Sequence, residues 1–270
     1  MKITLALLIP MVSVTARTPD AAAIIAKSVA VTQQDWNNAP KYSFIDREVQ
    51  GKRGNIQPGK TYEVLMIDGS PYNKLLAVGS VPLSKQKQAA EQQKLEAETN
   101  KREHESAAER DQRVAKYLRE RKQDHRMLTE MISAFDYTLV GEATVDGRKV
   151  WVLKASPKPG YVPHNREGKM LQRMRGTLWV DQATYQWVKV QADVVQPVSM
   201  YGFIAKVKPG TRFELEQAPV SGAVWMPKQF SVVVKAKALG IRNENSRDED
   251  TYSSYKRMMP PKSSQLSAAK

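Results

Sequence analysis

The stretch that decides the fold is Tyr137-Thr-Leu-Val-Gly-Glu-Ala-Thr-Val145, followed by Asp146-Gly147 and then by Lys149-Val-Trp-Val-Leu-Lys-Ala-Ser156. Asp-Gly between two apolar runs is a strong hairpin signal, because both residues accept the positive φ angles of a two-residue turn. The same dipeptide occurs at Asp68-Gly69, between apolar runs at residues 61–67 and 72–78. The sequence therefore predicts antiparallel hairpins on both sides of its centre.

Further strands are predicted over much of the remaining chain. Val188-Lys-Val-Gln-Ala-Asp-Val194 alternates apolar and polar residues, as a strand with one buried face does. The other predicted strands cover residues 42–49, 176–181, 187–195, 202–207, 211–218, 224–238 and 251–258. Many amphipathic strands in succession predict an α+β protein, mainly antiparallel β, in which a strongly curved, half-open β-barrel is covered by helices.

Two segments have the sequence pattern of helices that could cover the sheet. Residues 20–38 place Ala23, Ile24, Ala26, Lys27, Val31 and Trp36 near helical spacing, which predicts one packed stripe. Residues 84–134 contain neither Gly nor Pro and carry many opposite charges four positions apart, which favours helix. Leu95 is the one large aliphatic residue of 84–111, so this half is predicted to be a solvated arm. Residues 114–134 carry large apolar residues at helical spacing, and we expect this half to pack against the rest of the protein.

Charge is the largest anomaly of the composition. The 270 residues include 42 Lys and Arg against 28 Asp and Glu, a net charge of +14. Residues 135–270 alone carry 21 basic and 12 acidic side chains, spread singly along the predicted strands. This distribution favours the polar outer face of a sheet; residence beside an anionic membrane surface is the alternative. No arginine-rich run or nucleic-acid motif is present, so a nucleic-acid partner is not expected.

The first 16 residues have the pattern of a secretory signal peptide. Lys2 precedes a short apolar stretch, and small residues (Val14-x-Ala16) follow it. The apolar stretch is shorter than the roughly 20 residues of a transmembrane helix. Without any cysteine the chain has no residue for a lipid anchor. We expect a soluble, exported, periplasmic protein; a buried N-terminal strand or helix is the alternative interpretation.

No catalytic motif is found in the sequence. A phosphate loop, a nucleophile elbow and a metalloprotease motif are all missing, and the lack of cysteine excludes thiolate chemistry. His104, His125 and His164 are scattered and predicted to be surface residues. The acidic stretch 244–250 matches no calcium loop and is predicted to be a polar turn before the last strand. We therefore expect a protein without cofactor or metal that is not an enzyme.

Large aromatic residues on the predicted strands are the candidate functional residues. They would line an apolar cavity between the sheet and its helices, suited to acyl chains; an ordinary core is the alternative. The candidates are Trp151, Trp179, Trp187, Phe203, Phe213, Trp225 and Phe230.

The chain resembles exported bacterial proteins of the outer-membrane lipoprotein-sorting type, the LolA/LolB-like superfamily. The resemblance covers most of residues 18–83 and 135–258. The stretches that carry it are Phe135-Asp-Tyr-Thr-Leu-Val-Gly-Glu-Ala-Thr-Val-Asp-Gly-Arg148, Gly176-Thr-Leu-Trp-Val-Asp181, Phe213-Glu-Leu-Glu216, Val224-Trp-Met-Pro227 and Tyr252-x-x-Tyr255. It implies one half-barrel domain over residues 17–258, interrupted by a charged helical insertion at 84–134 and followed by a disordered tail at 259–270.

The resemblance also implies a function. Such proteins hold lipoprotein acyl chains inside an incomplete antiparallel barrel closed by helices. The sequence thus predicts a carrier of lipid or lipoprotein acyl chains in the bacterial envelope. The alternative is a non-enzymatic envelope interaction or scaffold protein that contacts a protein partner through the helix at 84–134.

Overall fold

Both Asp-Gly pairs form the tight turns that the sequence predicts. In the computed structural model Asp68 and Gly69 have φ angles of 45° and 90°, and Asp146 and Gly147 have 48° and 77°. Positive φ at both central residues defines the turn type that matches the twist of antiparallel strands. The structure describes residues 19–258 apart from 53, 201–204, 239–241 and 244. The predicted signal peptide at 1–16 and the tail at 259–270 lie outside the described residues.

The described part of the chain contains helices at its start and centre and strands elsewhere. The helices are α1 (Ala21–Asn38), a short 3-10 helix (Ala39–Lys41), α2 (Lys85–Glu103), α3 (Ala107–Ala134) and α4 (Arg166–Leu171). The strands before α2 are β1 (Tyr42–Lys52), β2 (Asn55–Ile56), β3 (Lys60–Ile67), β4 (Ser70–Val78) and β5 (Val81–Pro82). The central strands are β6 (Phe135–Val145), β7 (Arg148–Pro157), β8 (Met174–Asp181) and β9 (Trp187–Val194). The remaining strands are β10 (Val198–Met200), β11 (Ala205–Val207), β12 (Arg212–Ser221), β13 (Val224–Val234), β14 (Ala236–Ala238), β15 (Arg242–Asn243) and β16 (Ser246–Arg257).

One large antiparallel sheet dominates the fold. Its strand order is β5-β4-β3-β1-β16-β13-β12-β9-β8-β7-β6, with β2 paired to β1. The sheet is curved and does not close, because no described strand joins the β5 edge to the β6 edge. The α+β class and the open, mainly antiparallel sheet are confirmed. A second, four-stranded sheet of β10, β11, β14 and β15 was not predicted.

The largest errors of the sequence prediction lie in the last third of the chain. The stretch 244–250, predicted as a polar turn, instead supplies the start of β16 from Ser246 onward. β16 is inserted between β1 and β13, so its acidic residues have partners on both sides. The predicted strand 224–238 is two strands in different sheets, β13 and β14. Neither difference has a local sequence signal, because each depends on pairing with distant strands.

The charged segment 84–134 is two helices, which break at His104–Ser106. Ser106 begins α3 with a capping box, in which its side chain and that of Glu109 exchange hydrogen bonds with each other's backbone N–H. The expectation of a solvated arm at 84–111 is wrong, because α2 lies against β4. Lys74 Nζ of β4 donates to Gln92 Oε1 of α2 at 2.7 Å. That the segment is an insertion stays a prediction.

Arg102 fixes α2 to the β3–β4 hairpin. Its side chain is buried, and Nη1 donates to the carbonyl oxygens of Ile67 and Ser70, both at 2.8 Å. Glu98 accepts from its Nε at 2.7 Å, which balances the buried charge. A Cβ added at Gly69 would lie 3.1 Å from Val114 of α3, so the turn also requires glycine for close approach. The hairpin tip therefore orients both helices.

We expect Arg102→Ala to lower the free energy of unfolding by about 2–4 kcal/mol, because it leaves buried carbonyl groups without donors. Urea denaturation followed by circular dichroism measures the change. Arg110→Ala on exposed α3 surface is the matched control and should change stability by about 0.5 kcal/mol or less. Equal effects of the two substitutions would contradict this account.

Candidate functional site

The face of the sheet that packs against α1, which we call the concave face, changes chemistry along a single row of directly opposed residues. We call these nine residues the central row. From the β6 edge they are Leu139, Leu153, Leu178, Val190, Leu215, Phe230, Asp250, Glu48 and Lys60. Directly opposed residues in a sheet share a face. Along this row the face is therefore apolar from β6 to β13 and charged from β16 onward.

The apolar half is filled by the main core. Leu153 and Leu178 are buried there together with Ile24 and Ile25 of α1, and Met174 of β8 adds to the same cluster. α1 contacts β6, β13 and α3, so it lies over this half of the face. The sequence predicts a helix at 20–38 that covers the apolar face, and α1 has this position.

The side of α1 that faces the sheet differs from the predicted stripe. Of that stripe only Ile24 is fully buried, whereas Ala23, Ala26 and Lys27 are exposed. The buried residues are Ile24, Ile25, Ser28, Thr32 and Asp35. Hydrophobic periodicity selected the wrong face, because three polar residues occupy the positions that point inward. The inner surface of α1 is therefore apolar at its start and polar towards its end.

Four buried polar atoms between α1 and the sheet have no hydrogen-bond partner among the described residues. They are Ser28 Oγ, Asp35 Oδ2, Gln186 Oε1 and Trp187 Nε1, and we call these four residues the α1 seam. A buried polar group without a partner costs about 1–3 kcal/mol. Two isoleucines thus stabilise the packing of α1 at its start, and buried polar groups without partners weaken that packing towards its end.

Asp35 is the charged member of the α1 seam. Its Oδ1 accepts a hydrogen bond from the backbone N–H of Trp225 at 3.1 Å. Burial raises the pKa of the Asp35 carboxyl above its ordinary value, and the Trp225 N–H and the Gln186 side chain oppose that rise. The carboxyl group therefore joins the end of α1 to β13 and to the residues before β9.

Trp36 attaches the end of α1 to α3. The Arg121 guanidinium lies 4.1 Å from the centre of the Trp36 ring, and the His125 ring stacks on Trp36 at 4.4 Å. Arg121 also donates to the Trp36 carbonyl oxygen. Burial lowers the pKa of His125, and the neighbouring Arg121 charge adds to this effect. His125, predicted as a surface residue, is instead a half-buried contact between the two helices.

The predicted aromatic residues do not form one lining. Trp151 and Trp187 are buried in the main core, and Phe213 packs against it. Trp225 belongs to a second cluster with Val150 and Val188, against which Trp179 packs. Val150 and Trp151 are neighbours on β7, so the two clusters lie on opposite faces of the sheet. The candidates that the structure describes are therefore divided between the two faces.

Phe230 stands at the boundary of the apolar half, directly opposite Leu215 on one side and Asp250 on the other. Phe203 lies outside the described residues. The aliphatic members of the central row and the polar face of α1 were missed by the sequence prediction. The leucine pattern of β6 to β9 is visible in the sequence, but its continuity across strands depends on the register.

The charged half of the concave face brings carboxylates together. Glu48 and Asp250 are directly opposed, and Asp46 lies opposite Tyr252 on the same face. Burial, together with the charges of Asp250 and Glu48, raises the pKa of Asp46 to about 7. Asp46 Oδ1 is buried without a partner among the described residues. Like charges that face each other destabilise a strand pair.

The opposite, outer face of the sheet carries ion pairs on β9 and β12 in addition to the second cluster. Lys189 pairs with Glu216 at 2.9 Å, and Arg212 pairs with Asp193 at 2.7 Å. Recesses of about 250 and 240 Å³ lie against β4 and across β7 to β9, and most of the residues that line them are polar. Neither recess is the apolar cavity that the sequence predicted. In this structure α1 itself occupies the apolar half of the concave face.

No protein-family model matches the chain, and no curated protein matches it. Solved structures do resemble it. A DUF1329 family protein from Desulfovibrio piger is 15% identical, with a TM-score of 0.38 over 94% of this chain and 100% of the other. A domain assigned to outer membrane lipoprotein sorting from Vibrio parahaemolyticus is 9% identical, with a TM-score of 0.35 over 90% and 97%. A LolA superfamily protein from Nitrosomonas europaea is 11% identical, with a TM-score of 0.33 over 91% and 97%.

The second and third of these structures carry the names of the group that the sequence resembles. Each TM-score is below 0.5, so the three structures are similar to this chain only in general architecture. Within the described ranges, no helix has the length and hydrophobicity needed to cross a membrane.

The carboxylates of the charged half make stability depend on pH. The folded-state pKa of Asp46, about 7, lies above its ordinary value of 3.8, so the folded protein holds a proton that the unfolded chain releases. Stability should therefore fall as pH rises from about 4 to 7. We expect Asp46→Asn to raise the free energy of unfolding at pH 8 by about 1 kcal/mol and to have little effect at pH 4.

Urea denaturation at both pH values measures this difference. Asp146→Asn is the matched control, because Asp146 is exposed in a turn where Asn also accepts positive φ. A stabilisation by Asp46→Asn that is the same at pH 4 and pH 8 would contradict the assignment.

Proposed function

We propose that this protein is a non-enzymatic binder or carrier of lipid or lipoprotein acyl chains in the bacterial envelope. The acyl chain lies along the apolar half of the concave face, and α1 is the lid that moves aside to admit it. The observation that carries the proposal is the mismatch between α1 and the surface that it covers. Leucine and aromatic side chains line the sheet, whereas Ser28, Thr32 and Asp35 are buried against it.

This mismatch favours a displaceable lid. A helix that served only to complete a core would gain free energy by presenting apolar residues at these positions. The contact between Trp36, Arg121 and His125 holds α1 to α3 and supplies a hinge at the end of the lid. An acyl chain that replaces α1 on the sheet would restore apolar contacts for the central row and release the buried polar atoms of α1.

Several predictions from the sequence belong to the same proposal. The predicted signal peptide supports export to the periplasm, and the excess of basic residues on the sheet half supports residence beside an anionic membrane surface. The aromatic residues of the concave side, Trp151, Trp187 and Phe213, are the part of the predicted lining that we retain as ligand contacts. Trp179 and Trp225, in the second cluster, are not included.

A cross-link that holds α1 in place tests the lid. Lys27 Nζ and the Tyr185 hydroxyl lie 3.3 Å apart, and the natural chain contains no cysteine. The double variant Lys27→Cys/Tyr185→Cys can therefore be joined by a short bismaleimide without side reactions. We expect the cross-linked protein to bind the apolar fluorescent probe N-phenyl-1-naphthylamine at least tenfold more weakly than the same variant before cross-linking.

The matched control joins α2 to β4 instead. Lys74→Cys/Gln92→Cys replaces a pair 2.7 Å apart that lies away from α1, and its cross-linking should leave probe binding unchanged. Equal binding with α1 free and with α1 fixed would reject the lid. Absence of binding in every form, together with absence of co-purified lipid in native mass spectrometry, would reject the acyl binder itself.

Exposed apolar residues on α3 favour the second candidate, an envelope interaction protein. Leu118 and Ile132 are 50% and 43% exposed, and α2 buries only Arg102. In that case Leu118→Glu should abolish co-purification of the protein partner while leaving probe binding intact. Loss of probe binding without loss of a partner would favour the acyl binder.

A further inference from the structure

The small four-stranded sheet brings lysine residues together. Lys206 of β11 lies directly opposite Lys237 of β14. Two residues further along the same pair of strands, the backbone N–H of Lys208 donates to the carbonyl oxygen of Lys235 at 2.7 Å. Alternate residues of a strand point to the same side, so Lys206, Lys208 and Lys237 share one face. We call Lys206, Lys208, Lys235 and Lys237 the lysine cluster.

The side chains of the lysine cluster lie close enough to influence one another. Desolvation lowers the pKa of Lys208, and the charge of Lys237 adds to this effect. A Cβ built at Gly210 would lie 3.1 Å from Lys235 Nζ, which places this ammonium group over the turn that follows Lys208. Lys206 and Lys235 are exposed, and the other two are half-buried. Four positive charges thus lie on or beside one short ladder.

The backbone beneath the lysine cluster is fixed to the main core. Thr211 is fully buried, and its hydroxyl accepts from the Lys235 N–H at 2.9 Å and donates to the Lys235 carbonyl oxygen at 3.3 Å. Val198 and Val207 are directly opposed on the other face of the small sheet. Val198 is buried in the main core, and Val207 packs against it. The small sheet therefore has one face on the core and one face that carries lysines.

The lysine cluster lacks the carboxylates that accompany basic residues elsewhere on the protein. On the large sheet, Lys189 pairs with Glu216 at 2.9 Å, and Lys228 lies 3.2 Å from Asp146 and 3.9 Å from Glu216. Within the described ranges, no carboxylate forms an ion pair with a member of the lysine cluster. Like charges directly opposed across two strands are destabilising. Folding alone does not explain such an arrangement, whereas an anionic partner would compensate it.

We propose that the lysine cluster is the surface through which this protein binds a bilayer that contains anionic phospholipid. The inference rests on the proposed function and deepens it, because it names the surface at which an acyl carrier meets the membrane. A bilayer presents phosphate charges over an area, so each ammonium group on one face can meet a different head group. Basic residues close to such a surface are attracted to it.

The position of the lysine cluster suits this role. Val198 and Val207 connect the opposite face of the same small sheet to the main core. Binding through the lysines therefore brings the main core to within one sheet of the lipid head groups. Nucleic acid is a poorer fit to this surface, because the sequence has no arginine-rich run.

A charge-removing double variant tests the proposal by vesicle flotation. Lys206→Gln/Lys237→Gln removes the directly opposed pair and keeps much of the length of both side chains. We expect it to bind vesicles of phosphatidylethanolamine with one quarter phosphatidylglycerol about tenfold more weakly than the natural protein does, because two charges near the membrane are lost. Binding of the natural protein should also weaken at about 300 mM salt, which screens charges. Vesicles of phosphatidylcholine alone should bind it weakly.

The matched control removes two lysines from the large sheet. Lys189→Gln/Lys228→Gln lowers the net charge by the same amount, but these lysines already have carboxylate partners, so vesicle binding should change less than about twofold. Thermal melts establish that both double variants are folded. The variant of the lysine cluster should melt no lower than the natural protein, because it removes an opposition of like charges.

Three results would overturn the inference. The first is an equal loss of vesicle binding in the two double variants, which would assign the attraction to net charge alone. The second is equal binding to vesicles with and without phosphatidylglycerol. The third is tighter binding to a short duplex DNA than to the vesicles at equal phosphate concentration, lost in the variant of the lysine cluster.

Binding of N-phenyl-1-naphthylamine separates this inference from the proposed function. If every form binds the probe and Lys206→Gln/Lys237→Gln binds vesicles as the natural protein does, the lysine cluster is rejected and the acyl binder stands. If vesicle binding follows the lysine cluster but no form binds the probe, the membrane surface is supported and the acyl binder is rejected.

Discussion

Continuous strand pairing fixes which residues of this protein share a surface. Among the described residues, eleven strands lie side by side in a single antiparallel sheet, with β2 paired to β1 beside them, and each residue is assigned to a face by its register with the next strand. A shift of one residue at any pair would exchange the two faces beyond it. The central row is the product of this constraint, because its nine members come from strands that are far apart in sequence. α1 is positioned by the surface that this row creates.

The attachment of α1 follows from the same surface. Ile24 and Ile25 contribute the burial that holds the helix on the apolar half, since each buried aliphatic side chain is worth about 1.5–3 kcal/mol. The polar residues further along the helix oppose this gain, while Trp36 restores contact through Arg121 and His125 of α3. α1 is therefore held at its two ends and weakly in between. A helix held in this way has a lower barrier to displacement than a fully apolar one.

Local signals predicted the parts of the fold that depend on neighbouring residues. The two Asp-Gly turns, the capped helix at its predicted place and the strands on both sides of residue 146 all have short-range causes. The position of β16 between β1 and β13 has none, and its acidic residues suggested a turn because their distant partners cannot be inferred from the segment itself. Likewise, the sequence predicted that the aromatic residues are buried, but it did not indicate on which of the two faces of the sheet each of them lies. Ser28 and Asp35 were missed because polar residues on a helix normally face solvent.

The pairing of β1 with β16 has a consequence for how the chain reaches its folded state. Tyr42 lies opposite Arg257, so the strand that begins the sheet has its neighbour near the end of the described chain. The two halves of the sheet are joined through β16, and contacts of such long sequence separation form slowly. A chain that emerges N-terminus first cannot complete the sheet until almost all of it is available. The hairpins β3-β4 and β6-β7 join neighbours in sequence and can form early, whereas β1 and β13 acquire their shared neighbour β16 last.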